Sequence, residues 1–500
     1  MKNKKLNRLF PNLHLLILAG AIMLFSACAV GPKYQRPSAP VPAAYKEAAP
    51  ANAAQAGHWK PTQPSDGAAK GKWWVIYNDP QLSALEDRVS VSNQNILAAE
   101  AQYREARDAV RIARSGLFPT VTGSASTATS QSSRTLTSGT TANLSTAPRT
   151  VYNLPVDLSY VADLWGSIRH SVAASAAVAQ LSDAQLENAR LSLQAELAVD
   201  YFQLHGTDGA QDLLDRTVKS YQEYLTLTQN RYQGGVASGA DVAQAQTQLH
   251  TARAQLIDLE VARAQFEHAI AILTGQPPAA LSIPEAALPA TPPPVPAGVP
   301  SALLERRPDI AAAERQMAAA NEEIGIAQAA YYPTLTLSAS AGLESSHFLR
   351  WISWPSRFWS AGPQLAETLF DAGRRHAQTD QARAAFDATV ANYRQTVLTS
   401  FQQVEDNLAA LRVLNDEAQA EDDAVKSAQL SLRISTDQYK AGTVSYLQVI
   451  TTQAIALQDE RSAVDIQTRR MVASVLLVEA LGGGWDTTKL PTVQDLENGK

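Results

Sequence analysis

The sequence is poor in the residues that most often carry chemistry. Its 500 residues include one cysteine, Cys28, so no intrachain disulfide and no cysteine metal cluster is available. The eight histidines are scattered, and no two lie within five residues of each other. No HExxH, G-x-S-x-G or P-loop pattern occurs. The expectation is therefore no metal, no cofactor and no enzyme. Carboxylates are plentiful, but they sit on long polar stretches where charge faces water. A basic surplus is also missing. Without Lys2, Lys4, Lys5 and Arg8, 38 Lys and Arg stand against 48 Asp and Glu, which argues against a nucleic-acid partner. After Phe25 no apolar run approaches 18 residues, so no later membrane helix is expected. If the mature chain enters a membrane, it must do so as a closed β-barrel.

What is present begins with an export signal. The basic start is followed by an apolar run from Leu13 to Phe25 and then Ser26-Ala27-Cys28. Leu24-Phe25-Ser26-Ala27-Cys28 resembles a bacterial lipoprotein signal, with Phe25 where the common motif has Leu. That resemblance implies removal of residues 1–27 and lipidation of Cys28. Ala29, rather than Asp, after the cysteine implies sorting to the outer membrane. The competing reading is an ordinary secretory signal with a chance cysteine. Residues 38–72 are rich in Ala and Pro and read as an extended arm within an N-terminal region, 28–78.

Proline and glycine then become scarce in a pattern. None of the residues 81–117 is proline, which predicts one helix of about 35 residues. At Pro119 the period changes to two. PTVTGSAS alternates, a Ser/Thr/Gly-rich loop fills 131–150, and Tyr152, Leu154, Val156, Leu158, Tyr160, Ala162 and Leu164 alternate with mostly polar residues. The same events recur. Pro333 opens a strand with Leu335, Leu337, Ala339, Ala341 and Leu343 on one face. An aromatic loop follows (Phe348, Trp351, Trp354, Phe358, Trp359), and a fourth strand is expected from about 359 to 370. Aromatics at one end of long two-faced strands suit a membrane-interface girdle, although a soluble sandwich would share the alternation.

After each hairpin comes a span without proline, Gly166–Tyr232 and Gly373–Tyr439. Each would be roughly 100 Å of helix. In the second, Phe386, Val390, Tyr393, Val397, Phe401, Val404, Leu408 and Leu411 recur at steps of three and four, near the 3.5 of a coiled coil. A narrow stripe of this kind packs sideways on neighbouring helices. Shorter helices, 240–274, 310–331 and 446–481, would lie end to end beside the long ones and meet midway. The result is a duplicated rod: 79–276 and 301–483, joined by a Pro-rich linker 277–300, with a tail 484–500. Four strands cannot close a barrel, so several copies must assemble.

The duplication is clearest at two turns. RYQGGVASGADV (231–242) returns as QYKAGTVSYLQV (438–449), with Tyr232/Tyr439, Gly235/Gly442, Ser238/Ser445 and Val242/Val449 all 207 residues apart. Gly235 and Gly442 suit positive φ at a helix end. Ser445 with Gln448 reads as a capping box, and Ser238 with Asp241 as a looser one. These turns, with CAVGPKYQRP (28–37), LLERRPDI (303–310), LFDAGRR (369–375) and LGGGW (481–485), together resemble the TolC-like outer-membrane factors, closest to the NodT-type lipoprotein branch. The resemblance spans essentially the whole mature chain. It implies a mixed α and β membrane protein: a homotrimer forming a 12-stranded outer-membrane β-barrel, four strands per chain, continued by a long periplasmic α-helical barrel. It implies passive export of drugs or other small molecules, driven by an inner-membrane pump, in this branch a proton-driven one, through a periplasmic adaptor. The tips, Gly235, Ser238, Gly442 and Ser445, would dock the adaptor. Asp241 and Tyr439 fall on positions of the family's periplasmic gate. At other gate positions this chain departs, with Val444 at a site that is Arg or neutral in the family and Gln448 and Thr451 at acidic ones. A gate closed by packing and hydrogen bonds at Tyr439, Leu447, Gln448 and Thr451 is therefore expected.

LLERRPDI reads as structural, with Pro308 as a first helical residue and Asp309 favoured by the helix N-terminus. Two other classes compete for the whole chain: a lipid-anchored periplasmic coiled-coil structural or adaptor protein without a pore, and a surface-binding lipoprotein. The first needs no two-faced strands of this length, and heat-resistant trimers with ion conductance would exclude both.

Overall fold

The computed structural model describes residues 29–47, 71–131, 133, 147–295 and 300–498. The signal segment and Cys28 lie outside the described residues, as does most of the loop expected over 131–150.

Helix α1 (Pro80–Ser92) and helix α2 (Gln94–Ser115) replace the single helix expected over 81–117. Asn93 makes the break. Its backbone is extended, and Oδ1 accepts from the Asn95 and Ile96 amides at 2.9 and 3.3 Å. A short amide side chain offers the backbone this alternative to the helical ladder. The other long helices follow the expected plan: α3 (Ser167–Gln233), α4 (Gly239–Leu273), α5 (Pro308–Ala329), α6 (Arg374–Lys440) and α7 (Tyr446–Ala480). The long pair, α3 and α6, have 67 residues each, and α4 and α7 have 35 each. Gly206 does not interrupt α3. A Cβ there would stand 2.3 Å from Thr468 Oγ1, so this glycine lets α7 come close.

The short helices are stacked end to end. Asn93 Nδ2 donates to the Leu273 carbonyl at 2.8 Å, where α4 stops beside the start of α2. Arg307 Nη1 donates to the Ala480 carbonyl at 2.8 Å, where α7 stops beside the start of α5. Both joints lie against the same turn of α3. Gln194 Nε2 donates to Ser90 Oγ at 3.0 Å, and Ser192 Oγ donates to Glu479 Oε1 at 2.9 Å. At the second joint a cavity of about 340 Å³ opens between α3 and α6, lined by Asn188, Arg307, Gln403, Asn407 and Glu479 among others.

Packing follows the sequence stripes. Tyr393, Val397, Phe401, Val404 and Leu408 are buried on α6, and Phe386, Val390 and Leu411 pack against the same cluster. Trp73, Trp74 and Tyr77 fill a second core with Tyr201 and Phe202. The Pro-rich linker is held by a buried ionic group. Asp208 accepts from Arg263 Nε at 2.7 Å and from the Ala286 amide at 3.2 Å, with His205 Nδ1 2.9 Å away. Burial alone would raise the Asp208 pKa, but these bonds outweigh it and hold the carboxyl below its ordinary value.

At the end of the rod where α2 and α5 stop and α3 and α6 start lies one antiparallel sheet: β1 (Thr120–Gly123), β2 (Ser126–Ser130), β3 (Arg149–Ala162), β4 (Thr334–Ser345) and β5 (Arg357–Ala366). β1 and β2 both pair with β3 in one continuous register. They are a single strand whose ladder lapses opposite Leu154 and Pro155, because proline has no amide to donate. The fourth strand of the expectation ends at Ala366, short of Phe370. Among the described residues no helix is long and apolar enough to cross a membrane.

Candidate functional site

The register divides the sheet into two contrasting faces. Residues paired across antiparallel strands share a face. One face carries Val121 opposite Leu158, then Leu154, Val156, Leu158, Tyr160 and Ala162 opposite Leu343, Ala341, Ala339, Leu337 and Leu335. It continues with Trp359, Ala361, Pro363 and Leu365 on β5. The other face carries Thr120, Thr122, Asn153, Asp157, Ser159, Glu344, Ser340, Ser338, Thr336, Ser360 and Gln364. An apolar face running across β1, β3, β4 and β5 and giving way to Thr127 and Thr129 on β2, backed by a mostly polar one, is the arrangement of a barrel with lipid outside and water inside. Trp359 and Leu365 are exposed in the single chain, as lipid-facing residues would be. The outer edges of the β1/β2 strand and of β5 carry no partner strand among the described residues.

At the far end, about 100 Å of helix away, the two turns form paired tips. Gly235 and Gly442 have φ of 73° and 77°, and Ser238 and Ser445 are exposed helix caps. The capping is the reverse of the expectation. Ser238 and Asp241 form the complete box: the Ser238 amide donates to Asp241 Oδ2 at 2.9 Å and the Asp241 amide donates to Ser238 Oγ at 3.2 Å. Ser445 makes no side-chain cap. Gln448 stays exposed, and ordering its longer side chain across the cap costs more rotamer freedom than ordering Asp241. Of the residues expected at a gate, Tyr439 is buried and its ring lies 5.3 Å from that of Tyr446. Leu447, Gln448 and Thr451 are exposed on α7. Tyr439 thus packs within the protomer's own paired tips, Asp241 caps its own helix, and the other three lie at the surface.

One residue of this site has no counterpart in the sequence reading. Arg231 Nη1 donates to the Lys440 carbonyl at 3.1 Å, and its guanidinium carbon lies 4.7 Å from the Tyr439 ring centre. It ties the C-terminal end of α3 to that of α6. The equivalent position in the second repeat is Gln438, so the tie runs one way. That asymmetry in the repeat was the available signal.

The N-terminal arm forms the third element. Its path begins at the sheet–helix junction, where the Val30 amide donates to the Trp165 carbonyl at 3.0 Å and the Val30 carbonyl lies 3.1 Å from His170 Nε2. His170 Nδ1 is 2.6 Å from Glu322. Lower down, Asn321 Nδ2 donates to the Pro32 carbonyl at 3.0 Å and Tyr34 donates to Glu314 Oε1 at 2.6 Å. The Lys46 and Glu47 amides donate to Glu405 at 2.7 and 2.9 Å. The arm is a strap along the helical wall, where composition suggested only an extended segment.

These features can be set beside known proteins. A family described as outer membrane efflux protein matches residues 85–276 and 299–483, one stretch in each half of the duplication. The protein belongs to the outer membrane efflux protein family. It resembles the antibiotic efflux pump outer membrane protein ArpC of Pseudomonas putida, with 33% identity over 479 residues, 94% of this chain and 96% of ArpC. The toluene efflux pump outer membrane protein TtgC of Pseudomonas putida is 32% identical over the same length, with the same coverage. Among solved structures, the outer-membrane channel OprN superposes with a TM-score of 0.83 at 28% identity, covering 92% of this chain and all of that one. This efflux protein is therefore an outer-membrane protein, with its two-faced sheet in the membrane and its helices in the periplasm.

Proposed function

We propose that this outer-membrane efflux protein acts as a homotrimeric, passive exit duct. Three copies would close the unpaired sheet edges into a 12-stranded barrel, and their long helices would continue it as an α-helical barrel across the periplasm. The observation that carries this reading is the sheet register: one face apolar, one polar, both outer edges open. A lipid-anchored coiled coil without a pore has no use for such a sheet.

The tips at Gly235, Ser238, Gly442 and Ser445 dock a periplasmic adaptor, which joins the duct to an inner-membrane, proton-driven pump. Asp241, Tyr439, Leu447, Gln448 and Thr451 form the gate, and the tie from Arg231 onto Tyr439 holds it shut. Lipid on Cys28 anchors the arm. Support comes from Val30, which is fixed at the sheet–helix junction two residues after that cysteine, the level at which a lipid would meet the membrane. ArpC is named for antibiotic efflux and TtgC for toluene efflux, and the cargo proposed here is of that kind: drugs or other small apolar molecules. The test is a deletion strain assayed for dye and antibiotic accumulation, together with purified protein in planar bilayers. Trimers with ion conductance and raised accumulation in the deletion strain are expected. A monomer without conductance would overturn the duct reading.

A further inference from the structure

The loop joining β4 to β5 lies at the end of the sheet away from the helices, which is the outer surface of the membrane. It is densely apolar and unusually exposed. Leu349, Ile352 and Trp354 are 96%, 80% and 78% exposed, although the loop itself is well built. Trp351 Nε1 donates to the Leu343 carbonyl at 3.3 Å, and the Ser353 and Ser356 hydroxyls both donate to the Arg350 carbonyl at 2.6 Å. Phe348 and Trp351 pack on Tyr152 with ring centres 5.5 and 5.6 Å away. Tyr152 belongs to the apolar face of the sheet, so the loop leans over the lipid side. Tyr152 also sits on β3, near the middle of the sheet and away from the edges that a second copy would pair.

Charge supplies the other half. The chain as a whole is acidic, yet no Asp or Glu occurs between Asp108 and Asp157 or between Glu344 and Glu367. Arg350 and Arg357 are exposed, and neither forms an ion pair among the described residues. Arg357 opposes Leu343 in the register, which puts it on the lipid face beside Trp359. Its guanidinium stacks 4.5 Å from the Trp354 ring centre. A stacked guanidinium keeps its edge free for bidentate bonding to phosphate.

We propose that this loop is a binding site for the phosphorylated glycolipid of the outer leaflet. Leu349, Ile352 and Trp354 enter the acyl chains, and Arg350 and Arg357 bind the glucosamine phosphates at headgroup depth. The proposal rests on the membrane orientation given above and is separable from it, because conductance is read independently of lipid retention.

The test uses full-length protein, delipidated in detergent and offered bis-phosphorylated lipid A or the same lipid stripped of phosphate. Native mass spectrometry counts bound lipid. Loss of two charge-assisted contacts predicts at least about tenfold weaker retention of the phosphorylated form in Arg350→Gln/Arg357→Gln. The dephosphorylated lipid should bind wild type about as weakly, and Arg350→Lys/Arg357→Lys should keep most of the affinity. Equal retention of the two lipids by wild type overturns the proposal, and that comparison decides even if the Gln variant fails to assemble. A photo-crosslinking residue at Leu349 should label lipid in intact outer membranes. Labelling of a second copy of the chain, or of another protein, would overturn it too.

Discussion

Replacing Arg231 by Ala isolates the tie between the two tips. The substitution removes a guanidinium 4.7 Å from the Tyr439 ring and its 3.1 Å bond to the Lys440 carbonyl. A cation–π contact near the surface is worth about 0.5–1 kcal/mol. A charged hydrogen bond contributes about 1.5–3 kcal/mol, toward the lower end or below where water competes. The Lys440 carbonyl is exposed, so stranding it adds little. Together about 2 kcal/mol per protomer is lost, or roughly thirtyfold in the balance between joined and separated tips. In single-channel recordings Arg231→Ala should raise the fraction of time spent open by up to that factor. Arg231→Lys keeps the charge but not the planar stack and should fall between. Tyr439→Phe keeps the ring and should be silent, because the Tyr439 hydroxyl is buried without a hydrogen bond among the described residues. A double-mutant cycle with Tyr439→Leu measures the coupling directly. Unchanged gating in Arg231→Ala together with zero coupling refutes the reasoning.

Asp241→Asn keeps an acceptor for the Ser238 amide and removes the charge, so it should lower cation selectivity and leave the tip ordered. Asp241→Ala also loses the box, about 1 kcal/mol, and should speed hydrogen exchange at residues 238–242. If both variants conduct like wild type, Asp241 is only a cap. Asn93→Ala removes a helix cap and strands the Leu273 carbonyl at a buried joint, together about 3 kcal/mol. Exchange at both ends of that joint should accelerate, and unchanged protection there would count against the joint as described. Stability also varies with pH. Burial and the neighbouring Glu196 push Asp200 up to about 6 from its ordinary 3.8. The folded chain therefore holds this proton better than the unfolded chain does, and stability falls as pH rises through that window. Asp200→Asn should narrow the difference in melting temperature between pH 4.5 and pH 7.5. An unchanged difference would mean that Asp200 does not carry the proton.

Most of the architecture was legible because it rests on long-period signals. Sixty-odd residues without proline and a two-residue alternation leave few alternatives, and the lengths of the short helices fixed how they stack. The errors came where one side chain decides the backbone. The α1–α2 break falls in Val89-Ser90-Val91-Ser92-Asn93, the weakest helix formers of that stretch, but averaged over 35 residues the dip vanished. Pro155 predicts a lapse in a ladder, and its partner strand shows one. At the tips, the motif for a capping box pointed to Ser445, whereas the bond formed at Ser238. Arg231 was invisible as a residue type, since an arginine at a helix C-terminus is common. Its difference from Gln438 in the other repeat was the one sequence hint, and its partners emerge only where the two repeats meet in space. The docking of residues 30–47 depends on partners up to 365 residues away and has no local signature.

The stacked short helices have a mechanical consequence. In each half a continuous beam, α3 or α6, runs beside two shorter ones spliced at mid-height, and both splices fall at one level on α3. A wall with all its splices in one plane bends there first, more so beside a cavity of about 340 Å³. Below that plane each tip is a lever arm of 35 residues, about 50 Å, so a bend of about 5° at the splice moves the tip by about 5 Å. Small adjustments in the bonding of Asn93 and Arg307 are thereby amplified at the opposite end of the rod.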